Sequence, residues 1–200
     1  ARLGLRNRLA RGILSRRKGP ADALASRTVS ATIIDGKAVA AEVRRDVAEQ
    51  VDAMRERSGR VPGLATILVG DDPASAVYVG GKRKASAEVG IADYHRQLAA
   101  DVEQAEVAAV IEECNRDPEI DGILLQLPVP EELDGAALTA LISPDKDVDG
   151  LTPVSGGRLL RGTPGLRPCT PLGVLELLDR YQVCLLYTSP SPRDRQKSRM

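Results

Sequence analysis

Two hundred residues suffice for one domain, or for a domain and part of a second. Twenty-eight basic side chains balance twenty-eight acidic ones, so net charge makes no case for nucleic acid or an acidic surface as partner, and no run approaches the ~18 apolar residues of a membrane-spanning helix. Four tyrosines are the only aromatics, which calls for an aliphatic core, and three widely spaced cysteines (Cys114, Cys169, Cys184) lack metal-ligand spacing and fit a reducing compartment without structural disulfides.

In chain order, residues 1–28 are rich in Arg and Leu with a single acid, Asp22. They read either as a transit-peptide-like leader or as non-native sequence ahead of a start near Val29, and in both cases as lying outside the fold. Ala31 to Ile34 predicts a short first strand ended by Asp35-Gly36. Val39, Val43, Val47, Val51 and Met54 then mark one face of a helix from Ala38 to Arg57, stopped by Gly59 and Pro62.

The stretch from Pro62 to Ile91 organises the chain. Leu64 to Val69 is an apolar run of strand length between Gly63 and Gly70, the pattern of a strand buried on both faces in a parallel sheet. Asp72 is placed to cap the next helix, with Pro73 in its first position and Gly90 as its stop. That helix carries Tyr78 and Lys82 one turn apart on one face. A phenol and an amine at the carboxyl end of a parallel strand stand where open α/β sheets bind ligands. Next to Arg83 and Lys84, and partly desolvated, such a lysine is suited to proton transfer.

Further along, the pattern predicts a strand over Ala92 to Leu98, with the lone His95 as a surface or structural residue. A helix follows over Val102 to Arg116, with Val107, Val110, Ile111 and Cys114 inward. Ile123 to Leu127 reads as a second buried strand and Leu133 to Ile142 as a short helix before Pro144. Asp147 to Gly165 is glycine-rich and reads as a loop at a domain boundary. Thr170-Pro171 is expected to cap a helix with Val174, Leu175, Leu178 and Tyr181 on its apolar face. Residues 184–200 lack periodicity and read as a non-native tail. Strands and helices in alternation give an α/β fold: an open, mainly parallel sheet with helices on both faces.

Four blocks in this order carry a resemblance: Val69-Gly70-Asp71-Asp72-Pro73-Ala74-Ser75 with Tyr78-Val79, Lys82-Arg83-Lys84-Ala85 and Glu88-Val89-Gly90-Ile91; Asp121-Gly122-Ile123-Leu124-Leu125-Gln126-Leu127-Pro128; Pro144-Asp145-Lys146-Asp147-Val148-Asp149-Gly150; and Arg167-Pro168-Cys169-Thr170-Pro171. From about Ser30 to Val183 the chain resembles the bifunctional methylenetetrahydrofolate dehydrogenase/cyclohydrolase family. The resemblance implies oxidation of 5,10-methylenetetrahydrofolate with NADP and hydrolysis of the methenyl product to 10-formyltetrahydrofolate, in one-carbon metabolism and purine biosynthesis.

It also implies roles. Lys82 is the central proton-transfer group, Gln126 orients it, and Tyr78 lies along the folate ring; Lys82, Gln126 and Tyr78 form the catalytic set. Asp149 receives the pterin N–H groups, and substrate contacts come from Tyr78, Val79, Gly80, Gly81, Lys82, Leu125, Gln126, Leu127 and Asp149. The partners implied are tetrahydrofolate derivatives and a second copy in a homodimer, with neither nucleic acid nor membrane. The location implied is cytoplasmic, or mitochondrial if residues 1–28 are a native leader.

The domain organisation expected is a folate-binding catalytic domain over 29–150, then a linker and first helix of a truncated Rossmann-type NADP domain over 151–183. No glycine-rich strand-to-helix turn for a pyrophosphate occurs in the chain, so the cofactor site is expected outside it and no metal site is expected. Gly80-Gly81 stand where better helix formers are expected, each costing roughly 1 kcal/mol relative to alanine. Two rival readings stand beside this one. A short-chain dehydrogenase also uses Tyr-x-x-x-Lys but needs a glycine-rich turn ahead of the dyad, which Gly70-Asp71-Asp72-Pro73 is not. A non-catalytic folate-binding or dimerisation module stays open.

Overall fold

The computed structural model describes residues 31–184; the expectations for residues 1–30 and 185–200 fall outside it. Described residues 34–184 belong to one compact unit. Its elements are α1 (Gly36–Ser58), β1 (Gly63–Val69), α2 (Pro73–Glu88), β2 (Ala92–Asp93), β3 (Arg96–Leu98), α3 (Gln104–Arg116), β4 (Gly122–Leu125), α4 (Gly135–Ala140), α5 (Pro153–Arg161) and α6 (Cys169–Arg180). No helix among the described residues is long and apolar enough to cross a membrane.

All strand pairing is parallel and centres on β1, with β2 and β3 along one edge and β4 along the other. Because side chains alternate across a strand, β1 serves two layers. Ala65, Ile67 and Val69 join Ile123 and Leu125 in one core with Val107, Ile111 and Cys114 of α3 and with Leu138 and Ile142. Thr66 and Leu68, of the other parity, are buried as well, where α2 packs on β1 through the buried Val79. The α/β fold with a parallel sheet is as expected.

The strand expected over Ala92 to Leu98 is broken in two. The pairs Gly63↔Ala92 and Ile67↔Arg96 share one offset (92 − 63 = 96 − 67 = 29), so register is kept across the break. At the break, His95 Nδ1 lies 2.8 Å from the Thr66 hydroxyl and 3.1 Å from its carbonyl oxygen. The ring thus adds a side-chain contact to Thr66 just before the ladder resumes at Ile67↔Arg96. His95 has a structural place here.

Other expectations need correction. Residues 31–35 form no strand, and Ile33 is 84% exposed; without a partner in the sheet, an extended segment satisfies none of its own backbone groups. Asp147 to Gly165 is not all loop, since it contains α5. Thr152 caps that helix through Ser155 N–H, Pro153 takes the first turn, and Gly162 closes it in the left-handed conformation; the Gly156-Gly157 pair hid these signals. Helix α6 begins after Pro168 rather than Thr170, with no side-chain cap. Pro171 is tolerated because it sits in the first turn, where N–H groups have no helical partner. No α6 residue is buried, and of the expected stripe Tyr181 lies on the side that meets the start of α1. Leu177 approaches Gly36, Arg180 pairs with Glu42 and Asp46 of α1, and the Tyr181 hydroxyl accepts the Asp35 N–H at 2.8 Å.

The entry to β1 is packed without slack. A Cβ on Gly63 would lie 2.1 Å from the Glu119 carbonyl oxygen and 2.7 Å from the Tyr94 ring, while the Gly63 N–H donates to Asp121 at 2.9 Å. Asp121 is also paired with Arg60 at 2.9 Å. Gly63→Ala is therefore expected to destabilise the protein by about 1–3 kcal/mol, the usual cost of overpacking, with a lower urea midpoint as the measurement. An unchanged midpoint would show that the Glu119 turn moves aside freely.

Candidate functional site

The carboxyl ends of β1 and β4 converge on one place, and register explains how. After β1 the chain turns at Gly70, which is in the left-handed region at φ 83°. Asp72 then accepts from Ser75 N–H at 2.7 Å and starts α2, as expected from the sequence. Ten residues into α2 stands Lys82. Its Nζ donates to Gln126 Oε1 at 3.3 Å. Gln126 follows β4 directly and is held there by its own N–H, which donates to the Ile67 carbonyl of β1 at 2.9 Å. Its amide Nε2 donates to the Leu127 carbonyl at 2.6 Å, leaving Oε1 to face the lysine.

Asp149 arrives by a third route. Residue 147 bridges Ile123 in parallel, and Ile123 N–H donates to Lys146 O at 2.7 Å, so the chain from 146 runs alongside β4. Lys146 anchors this run by donating from Nζ to the carbonyls of Cys114 (3.0 Å) and Asp117 (2.7 Å) at the end of α3. Two residues beyond the bridge, Asp149 stands level with the end of β4. Burial pushes its carboxyl above the usual carboxylate range; the charge on Lys82 pulls it down and that on Asp147 pushes it further up. The lysine, the amide and the carboxylate thus form one cluster.

The other expected site residues fall around it. Tyr78 is 68% exposed, one turn before Lys82. Gly80 and Gly81 are exposed, with nothing within 4 Å of where a Cβ would stand, and α2 continues through both despite their low propensity. Leu127 is partly exposed beside Gln126, whereas Val79 and Leu125 are buried, Leu125 in the core with α3. Lys82, Gln126 and Asp149 are brought together; Val79 and Leu125 present packing surface instead.

Sequence reasoning passed over two residues. Asp147 is 1% exposed. Desolvation would raise its carboxyl, but Thr152 N–H (2.8 Å), Leu151 N–H (3.2 Å) and the Ser155 and Thr152 side chains outweigh it and hold the group below its ordinary range. The spacing from Asp147 to Thr152-Pro153 and Ser155 was the available signal. Cys169 donates its thiol to Val148 O at 3.3 Å; burial raises it, as does Asp149, while Lys82 opposes them. Gly150 accounts for its presence. At φ 64°, a Cβ there would lie 2.6 Å from the Arg167 carbonyl carbon, so only glycine lets the two backbones meet. No group of His, Cys, Asp and Glu among the described residues could hold a metal ion.

An open parallel sheet thus gathers an amine, an amide and a carboxylate at its strand ends, the edge at which open α/β sheets bind ligands. Comparison with known proteins places the chain further. Residues 34–149 match the family described as tetrahydrofolate dehydrogenase/cyclohydrolase, catalytic domain, and the chain belongs to that family. It is 64% identical over 155 residues to "Bifunctional protein FolD 2" of Frankia alni, covering 78% of this chain and 54% of that one. Among solved structures it is similar to the bifunctional FolD enzyme of Campylobacter jejuni, with a TM-score of 0.74 and 40% identity over 76% of this chain and 54% of that one. It is also similar to the Trypanosoma brucei dehydrogenase-cyclohydrolase solved with NADP cofactor and inhibitor, with a TM-score of 0.73 and 37% identity over 76% of this chain and 52% of that one. The chain spans about half the length of the curated relatives it matches.

The two carboxylates titrate in opposite senses, with consequences for stability. Asp147, depressed in the folded state, stabilises at neutral pH, and that contribution is lost as pH falls through its folded pKa. Asp149, raised in the folded state, opposes folding once pH exceeds its unfolded pKa. Asp147→Asn should accordingly cost about 1–3 kcal/mol near neutrality. Denaturation midpoints taken across acid pH should show the gap from wild type closing on acidification; a pH-independent gap would contradict the assignment. Lys82→Met should move the Asp149 carboxyl midpoint up, read by carbon-13 NMR.

Proposed function

We propose that this chain supplies the folate side of a methylenetetrahydrofolate dehydrogenase/methenyltetrahydrofolate cyclohydrolase, and one observation carries the reading: Lys82 is held by Gln126 within electrostatic reach of the half-buried Asp149, at the carboxyl ends of β1 and β4. A carboxylate suits the adjacent amino and ring N–H donors of a pterin, and placed there it fixes the ring plane. Lys82 then lies where water attacks the cationic methenyl carbon, giving and taking the proton while Gln126 keeps its amine in line. Tyr78, exposed on the same helix face, offers a flat phenol along the folate's aromatic ring. Gly80 and Gly81 leave the helix surface open to ligand approach.

NADP is the hydride acceptor in this proposal, supported by the relative solved with it. The first turns of α1 to α4 do not fit its pyrophosphate. Helices α1 to α4 each begin behind a carboxylate, Asp35, Asp72, Glu103 and Asp134, where an anion site needs free N–H groups and no negative charge. The domain boundary proposed near residue 150 assigns cofactor contacts to the relatives' remaining half. A cytoplasmic homodimer acting in one-carbon metabolism and purine synthesis completes the reading, supported by the bacterial relatives and by the exposed apolar residues Leu172, Val174 and Leu175 of α6.

Binding and turnover are to be measured separately on one sample. Asp149→Asn should weaken binding of 5,10-methenyltetrahydrofolate by about 10–100-fold, the worth of a charged hydrogen bond. Lys82→Met should keep binding and lose hydrolysis, followed by methenyl absorbance, with thermal unfolding unchanged. Near-normal hydrolysis by a folded Lys82→Met protein would overturn the role of the lysine, and binding without any wild-type turnover would favour a folate-binding module.

A further inference from the structure

Arg83, the residue after Lys82, reaches the opposite way. Its Nε and Nη2 both lie 2.7 Å from Oδ2 of Asp93, on β2. In the sheet β2 flanks β1 on one edge and β4 on the other. Helix α2 packs on β1, so two consecutive residues tie it to opposite sides of its own support: Arg83 to the β2 edge, Lys82 to the end of β4. Consecutive helix residues point about 100° apart, and fixing one direction fixes the other.

We propose that the Arg83–Asp93 pair is a positioning device for Lys82, setting the roll of α2 about its axis so that the lysine amine meets Gln126 and Asp149.

The neighbouring residues give this pair its importance. Gly80 and Gly81 contribute no packing, since a Cβ at either would find nothing within 4 Å. Val79 seats the helix on the sheet through apolar contact, which resists lifting but is not directional. A charge-assisted pair with two converging N–H groups is directional. The side chains are 41% and 28% exposed, so the pair adds little to global stability. Its effect is on geometry, where a misplacement of about 1 Å at a reacting group costs on the order of 100-fold in rate.

The inference rests on the reading of Lys82 given above, and its test needs no folate, so the two fail separately. The readout is the carbon-13 titration of the Asp149 carboxyl in the 200-residue chain, a group faced by Lys82, Asp147 and Cys169. Asp93→Asn removes a negative charge, which by field alone would lower the Asp149 midpoint. Loss of the Lys82 position would raise it. The expected result is a rise toward the midpoint of Lys82→Met, with the unfolding temperature little changed. An unchanged or lowered midpoint in a folded Asp93→Asn protein overturns the proposal. If that variant fails to fold, Arg83→Lys serves instead: it keeps the charge and loses the converging pair, and a wild-type midpoint there also overturns it.

Discussion

Strand β1 is hydrogen-bonded along both edges, and the site exists because of it. A central parallel strand cannot slip by one residue without turning its buried set inside out. Here that set is Ala65, Ile67 and Val69 on one face and Thr66 and Leu68 on the other, all buried. Three groups take their positions from this fixed rod. Lys82 comes on the helix that leaves β1, and Gln126 is tied by its own N–H to Ile67. Asp149 comes on a run paired to β4, itself paired to β1. No loop has to find its own way to the cluster.

Close backbone contact completes the frame. Gly122, inside β4, lies so near Val148 that a Cβ would stand 2.4 Å from its Cγ1, and Gly150 meets Arg167 and Pro168 with as little room. Asp149 lies between these two approaches. The neighbouring carboxylates then diverge by environment alone. Asp147 is ringed by donors and stays ionised, organising the start of α5; Asp149 is desolvated with few donors of its own, and its carboxyl is the more easily protonated. One residue type thus stands as an ionised structural cap and as a desolvated carboxyl two positions apart.

Much of this was legible in the sequence because its signals are local. The apolar run to Val69, the Asp72-Pro73 start and the i, i+4 spacing of Tyr78 and Lys82 specify strand, turn and helix face without reference to the rest of the chain. What escaped depends on contacts distant in sequence. His95 has a structural place only because Thr66 lies beside it. Cys169 joins the cluster only because Gly150 lets Arg167 approach. The loop reading of residues 147–165 failed where a glycine pair outweighed good caps at both ends of α5. The Ala31 to Ile34 run had strand composition but found no place in the sheet, and composition alone does not supply a partner.

The arrangement of charge around α2 makes a final point about division of labour. A helix starting after the first strand of an open α/β sheet is the usual place for a phosphate, since its free N–H groups and dipole attract anions. Here Asp72 occupies that place, its side chain already bonded to Ser75 N–H, and Asp71 stands beside it. The polar chemistry has moved along the helix instead, to Lys82 and Arg83 ten and eleven residues on. One of them is turned to the strand-end cluster and the other to the sheet edge. A helix whose first turn is closed to anions and whose middle presents an amine to a carboxylate and an amide suits, on the reading proposed above, a ring bearing N–H donors.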